Sequence, residues 1–281
     1  MKAKMHTKTF FTGNGFCEER SELRTPSLQR PWIWAGKFVR MGQSSYLCSD
    51  IHNQNIAEMK IGVMVAMQSE YDRLKERMQM DGDTGRMENG NELKLVRCGM
   101  GKVNAAVGAV ELIRSWQPDC IISTGVAGGL DTVLNVTDVV AGNRMVYHDV
   151  WCGEGNAYGQ IQGLPAVFDG NDVLYAHALQ LQGSAPVRGG LICTGDRFIT
   201  ERSEMQAIKE KFPEALAVDM ETTSIAQVCH LYHVPFLSFR VISDTPGVDG
   251  HQAQYEGFWQ TVAERSFVVV WQFLNSLPEK L

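Results

Sequence analysis

From Met59 to the end of this 281-residue chain, short and nearly continuous apolar runs alternate with segments of helical period. Runs without polar alternation are strands covered on both faces, and alternation with helices makes such strands parallel. Lys60–Ala66, Glu92–Arg97, Asp119–Ser123, Val136–Val146, Gly190–Thr194, Ala215–Val218 and Pro235–Ser243 read as strands. Gln68–Met80, Val103–Trp116, Thr200–Lys211, Asp219–Tyr232 and about 255–276 read as helices, the first with Tyr71, Leu74 and Met78 on one face. The expected fold is α/β, with helices over both faces of a mostly parallel sheet. No repeat of fixed period interrupts it.

Residues 1–58 differ. They lack sustained periodicity and carry eight Lys/Arg against five Asp/Glu, whereas the remainder carries 18 against 27. Glu18, Glu19 and Glu22 cluster, unlike an acid-poor transit peptide, and no apolar core precedes a small-residue cleavage site. The expected organisation is an N-terminal extension over 1–58, disordered or the product of an over-long gene model with translation starting at Met59. A single domain over 59–281 follows it.

The formal charge of −6 argues against nucleic acid as a partner. No apolar run reaches the ~18 residues of a membrane span. The seven cysteines form no CxxC pair, and Cys120 and Cys229 sit inside apolar runs. That usage fits reduced cysteines in the cytoplasm. His230 and His233 have no third ligand nearby in sequence, so no metal or other cofactor is expected.

Three acids follow the ends of apolar runs: Glu70, Glu221 and Asp244. A buried carboxylate is costly unless something polar meets it, and ligands bind at the carboxyl ends of parallel strands. Glu70 also suits the first turn of a helix for dipole reasons alone. Asp219 and Glu221, two apart, would point about 200° from each other on a helix. Only one of them should then face a site. Asp219 is the better N-cap, which leaves Glu221 for a ligand. Met220 between them is core or the wall of an apolar slot. The segment Thr124–Gly129 follows a strand; it is either a tight turn or a place where backbone amides approach a ligand. It is neither GxGxxG nor a phosphate loop.

In order and spacing, the segments MKIGVMVAMQSE (59–70), CGMGKV (98–103), STGVAGGL (123–130), YHD (147–149), TGDRFI (194–199), AVDMET (217–222) and RVISD (240–244) resemble the 5′-methylthioadenosine/S-adenosylhomocysteine nucleosidases, within the purine nucleoside phosphorylase superfamily. The match spans about four-fifths of the chain. The resemblance implies a three-layer sandwich around a twisted, barrel-like sheet and irreversible hydrolysis of the N-glycosidic bond to adenine. Asp244 would protonate purine N7 with Ser243 holding it, and Glu70 would activate water. Glu221 would grip the ribose hydroxyls and Met220 would lie along the sugar. Phe198 would stack on the adenine, and the Ile199 backbone would read it. Ala127 and Gly128 would contact the substrate, and Met67, Met100 and Tyr255 would receive the 5′-alkylthio group. It also implies a homodimer, 5′-deoxyadenosine as a further substrate, and a place in methionine salvage. The segment Trp151–Gln162 departs from the better-known bacterial pattern, with Gly153, Gly155 and Ala157 where larger apolar groups are expected. Three rival readings are a phosphate-dependent phosphorylase, a nucleosidase for a futalosine-type nucleoside of menaquinone synthesis, and a catalytically silent binding module. The complete set Glu70, Glu221 and Asp244 speaks against the last.

Overall fold

Strand β1 (Lys60–Val65) sets the layers. Its alternate residues Ile61, Val63 and Val65 pack into one cluster with Leu74 of α1 (Gln68–Arg77), Phe258 of α6 (His251–Thr261) and Phe273 of α7 (Ala263–Ser276). Met64 points the other way. It packs with Ala105, Ala109 and Leu112 of α2 (Lys102–Trp116) and Ile225 and Cys229 of α5 (Thr222–Tyr232). A period of two thus makes a three-layer α/β structure from one strand outward. The computed structural model describes residues 58–181, 186–245, 249–261 and 263–281. The expected N-terminal extension lies, apart from Glu58, outside the described residues, as do Cys17 and Cys48.

β1 pairs in parallel with β3 (Glu92–Arg97) and with β4 (Cys120–Gly129). The short β2 (Thr84–Arg86) runs antiparallel on the outer edge of β3. Beyond β4 the sheet closes. β4 pairs with β9 (Phe236–Asp244), β9 with β5 (Val139–Tyr147), β5 with β7 (Val187–Thr194), β7 with β8 (Ala215–Asp219), and β8 returns to β4. These five strands form a barrel. Each sends one side chain to its interior cluster: Ala127, Ile242, Val140, Ile192 and Ala217. The long ladders, β4 with β9 and β5 with β7, are parallel, and the shorter β4–β8 and β5–β9 ladders are antiparallel. β6 (Phe168–Asp169) adds to the edge of β5, followed by α3 (Asp172–Leu179), whose N-cap Asn171 accepts from the amides of Val173 and Leu174. α4 (Arg202–Lys211) packs Ile208 against Cys193 and Leu191 of β7.

Three expectations are corrected. The Thr124–Gly129 segment is not a turn: β4 runs on through it to Gly129. Gly125 adopts φ +133 and the register with β9 shifts between Ala127 and Gly128, so the glycines bend the strand into the barrel instead of reversing it. Helix α5 begins at Thr222, not Asp219, because Asp219 is held in β8 by partners described below. α1 ends at Arg77, with Gln79 at φ 50, short of Met80. The two- and three-residue strands β6 and β2, and helix α3, carry too little pattern to be anticipated.

Candidate active site

Glu70 stands in the first turn of α1, after β1, and Asp244 ends β9; both strands run parallel to β4. Glu221 follows β8, which runs antiparallel to β4, so the three acids do not share one edge of a parallel sheet as expected. They converge because β4 and β8 overlap only at their carboxyl ends, where Gly128 pairs with Val218 and Gly129 with Ala217. The ends meet around a cleft lined by Ala66, Met67, Glu70, Met100, Val126, Ala127, Gly128, Phe198, Val218, Asp219, Met220, Glu221, Ser243, Asp244 and Tyr255. A smaller adjoining cavity adds Arg197 and Ile199. Every site residue expected from sequence is therefore brought to this place. The lining, carboxylates beside methionine and aromatic side chains, suits a small molecule with both polar and apolar parts.

Glu70 is held by backbone. Its Oε2 accepts from the amides of Ala66 (3.0 Å) and Met67 (2.9 Å), and its Oε1 from Val126 (3.0 Å). Burial pushes its carboxyl above the ordinary range, and Arg240 and these amides pull it back. A carboxyl so fixed has no freedom to wander and, when ionised, can accept a proton at one place.

Glu221 is the N-cap residue of α5 but does not cap it with its side chain. Its Oε1 accepts from the Gly101 amide at 2.8 Å, and its Oε2 lies 4.0 Å from Arg240 Nη2. Burial raises its carboxyl to about 7, against the attraction of Arg240 and with the repulsion of Asp219.

Asp244 differs from both. Its Oδ1 accepts from Ser243 Oγ at 2.6 Å, and its Oδ2 is buried and meets no hydrogen-bond partner among the described residues. Burial raises its carboxyl; Ser243 and His251 oppose this. A carboxyl so raised, with an unmatched oxygen on the wall of the cleft, can serve as a proton donor.

The sequence reading missed the cation beneath the acids. Arg240, 1 % exposed in the middle of β9, places Nε 2.9 Å from Asp219 Oδ2, Nη1 3.0 Å from the Thr124 carbonyl and Nη2 2.9 Å from Ser123 Oγ. Asp219 also accepts from Thr194 Oγ1 (2.6 Å), from the Thr222 hydroxyl and from the Thr222 amide (3.3 Å). Asp219 therefore serves Arg240 first and the helix start second. Because it lies in a strand, the 200° argument does not apply, and Asp219 and Glu221 both line the cleft. A cation inside the apolar run FLSFRVIS was the available signal, since a buried charge implies partners. Gly125 makes room for the arrangement: a Cβ there would strike Glu70 Oε1 and come within 2.8 Å of Arg240 Nη1.

At the mouth, the Phe198 ring lies 5.5 Å from Tyr255 and 6.3 Å from His251, centroid to centroid, and Tyr255 Oη lies 3.8 Å from Met67 Sδ. Phe198 is half exposed and Met100 more so. The divergent loop after β5 exposes Trp151, stacked on Tyr158. Among the described residues, no group of three His, Cys, Asp or Glu could hold a metal ion, and no helix is long and apolar enough to cross a membrane.

Residues 60–275 match the family model of the phosphorylase superfamily. The chain is 37% identical over 235 residues to a 5′-methylthioadenosine/S-adenosylhomocysteine nucleosidase of Geobacillus sp. (strain WCH70), covering 79% of this chain and 100% of that one. Among solved structures it resembles the nucleosidase of the same name from Neisseria meningitidis in complex with methylthio-immucillin-A (35% identity, TM-score 0.71, covering 78% of this chain and 100% of that one). It also resembles that from Colwellia psychrerythraea 34H in complex with adenine (34% identity, TM-score 0.72, covering 80% and 98%).

Proposed function

The chain belongs to the 5′-methylthioadenosine/S-adenosylhomocysteine nucleosidases of the phosphorylase superfamily, which are N-glycosyl hydrolases, and we propose that it hydrolyses the N-glycosidic bond of those two nucleosides. The observation that carries the reading is the orphaned Oδ2 of Asp244, a buried carboxyl oxygen on the wall of the cleft. Protonated, it gives its proton to purine N7 as the bond from N9 to C1′ breaks, so adenine departs neutral with the bonding pair. Water adds to the oxocarbenium-like C1′ and surrenders a proton to Glu70. Glu221, with one oxygen fixed by the Gly101 amide, accepts from the ribose hydroxyls. Met220 lies along the sugar. Phe198 and the Ile199 backbone receive the base, aided by Ala127 and Gly128. Met67, Met100 and Tyr255 take the 5′-alkylthio group, and 5′-deoxyadenosine fits the same slot. The products, adenine and a 5-thio-substituted ribose, suit methionine salvage in the cytoplasm.

Glu70 also favours water over phosphate as nucleophile, since a buried carboxylate repels an anion at the attacked carbon. The futalosine-type reading differs only in the 5′ substituent, where the loop from Trp151 to Gln162 departs from pattern. For assembly we propose a homodimer. Val103 and Val107 of α2 are exposed, Val107 on a shallow face with Ala106 and Val110 rimmed by Glu111 and Arg114, and exposed apolar side chains so rimmed favour burial against a second copy.

The test is adenine release from methylthioadenosine, S-adenosylhomocysteine and 5′-deoxyadenosine, with and without inorganic phosphate. Release independent of phosphate and abolished in Asp244→Asn is expected. Phosphate-dependent turnover, or full activity in that variant, overturns the reading. Glu70→Gln should bind substrate without turning it over, and sedimentation at micromolar concentration should give twice the chain mass.

A further inference from the structure

Helix α2 begins with a local conflict. Its first residue is Lys102, its first turn holds no acid, and its N-cap is Gly101 at φ +89, which offers no side chain. A cation at a helix N-terminus opposes the helix dipole, and such departures from local preference concentrate at functional sites. Here the missing acids arrive from two other loops. Asp196, after β7, accepts from the Lys102 amide through Oδ1 at 2.7 Å. Asp149, after β5, receives Lys102 Nζ on both oxygens at 2.8 Å, and its Oδ2 also accepts from the Asp196 amide at 2.9 Å. Lys102 Nζ is 3.9 Å from Asp196 Oδ2 and 5.3 Å from the centre of the Tyr147 ring. One lysine thus ties three loops together. The product of that tie is the Gly101 amide, next in the chain, aimed at Glu221 Oε1 at 2.8 Å.

We propose that Lys102, Asp149 and Asp196 are positioning residues for Glu221: they clamp the start of α2 so that the Gly101 amide orients the carboxylate that receives the ribose hydroxyls. The proposal rests on the nucleosidase reading for what Glu221 does, though not for the clamp. None of the three residues lines the cleft, so they act through the backbone. Burial would raise the Asp149 carboxyl, but the hydrogen bonds from Lys102 and the Asp196 amide outweigh it and hold the group below its ordinary range. Asp149 therefore stays charged at neutral pH.

Two measurements test it. The first is kcat/KM for adenine release from a 5′-methylthio nucleoside and from its 3′-deoxy analogue. Lys102→Ala and Asp149→Asn should each lose about tenfold or more on the intact ribose, the order of a charge-assisted hydrogen bond, mostly through KM. The loss on the analogue should be much smaller, and Lys102→Arg, which can still fork onto Asp149, should restore most of the activity. Equal losses on both substrates, or none, would sink the proposal. The second is the titration of the Glu221 carboxyl by NMR in the ligand-free protein, where Arg240, Asp219, Glu70 and Cys98 are the other titratable or charged groups around it. In Asp149→Asn, loss of a negative charge alone moves that titration downward from about 7. Release of the Gly101 amide moves it upward, which is the expected result, and a downward move overturns the clamp. Should the wild-type protein release no adenine, the nucleosidase reading fails while this titration still decides the clamp.

Discussion

Replacing Arg240 with Met isolates what one buried cation does for this site. The guanidinium is fully buried, ion-paired to Asp219 at 2.9 Å, and close enough to Glu221 and Glu70 to pull both carboxyls down against burial. Methionine approximates its aliphatic volume, so the cavity left is small. What changes is that buried carboxylates lose their only nearby cation among the described residues. Removing one member of a buried ion pair costs ~3–5 kcal/mol, because the other member stays desolvated. For a domain of this size that lowers the unfolding midpoint by roughly 10 °C. The sign of the pH dependence follows from linkage. Without Arg240 the Glu221 carboxyl rises further above about 7, while its unfolded value remains near 4.5. Between those two values the native state binds more protons than the unfolded state, so its stability falls as pH rises. The deficit of Arg240→Met against wild type should be largest at about pH 8 and shrink towards pH 5 as the carboxyls accept protons. Urea unfolding at both pH values reads it directly. A deficit below about 1 kcal/mol at pH 8, or one equal at both pH values, would refute the reasoning by showing that Arg240 matters for packing and not for charge.

Gly125→Ala should be among the most damaging single-methyl changes in the chain. The backbone at φ +133 disfavours any L side chain, and the new Cβ meets Glu70 and Arg240. A cost of ~3 kcal/mol in urea unfolding, with adenine release lost, is expected; wild-type stability would mean that the barrel bend tolerates a side chain. The acid limb of kcat/KM should lie near pH 7, where Glu221 becomes an ionised acceptor, and a profile flat from pH 5 to 8 would remove Glu221 from ribose binding. Ser243→Ala removes a hydrogen bond that lowers the Asp244 carboxyl, so the basic limb should move to higher pH. Movement to lower pH would mean that another group supplies the proton.

How much of this was legible in the sequence depended on how local the signal was. Uninterrupted apolar runs such as IGVMV and FLSF mark strands wherever they pair, and acids ending those runs mark ligand-binding positions. The closure of the barrel was not legible from such runs, because it is decided by which strand meets which, 80 or more residues apart in chains such as β4 with β8. Gly125 shows the difficulty. The residues around it have the composition of a turn, and only the pairing of β4 with β9 on both sides makes them a bent strand. Asp219 was misassigned for a related reason. Its local neighbours offered a helix to cap, while its strongest partner, Arg240, is distant in sequence. Lys102, Asp149 and Asp196 belong to three separate recognisable segments, and nothing local says that they touch.

Arg240 and Asp244 stand on one strand, and their separation decides which acids the guanidinium acts on. They are four residues apart in β9, ~13 Å along the strand at about 3.3 Å per residue, with a register shift between them. Attraction falls with distance, so the guanidinium reaches the acids at the base of the cleft and leaves the one at the strand end to the effect of burial. Three amides and a nearby cation oppose the burial that raises the Glu70 carboxyl. Arg240, 4.0 Å from Glu221, lowers that carboxyl too, but burial still holds it at about 7. Asp244, with a single hydroxyl donor and an unmatched oxygen, is pushed towards its neutral form. In the proposed mechanism, then, Arg240 bears on the base and the hydroxyl acceptor and leaves the acid alone.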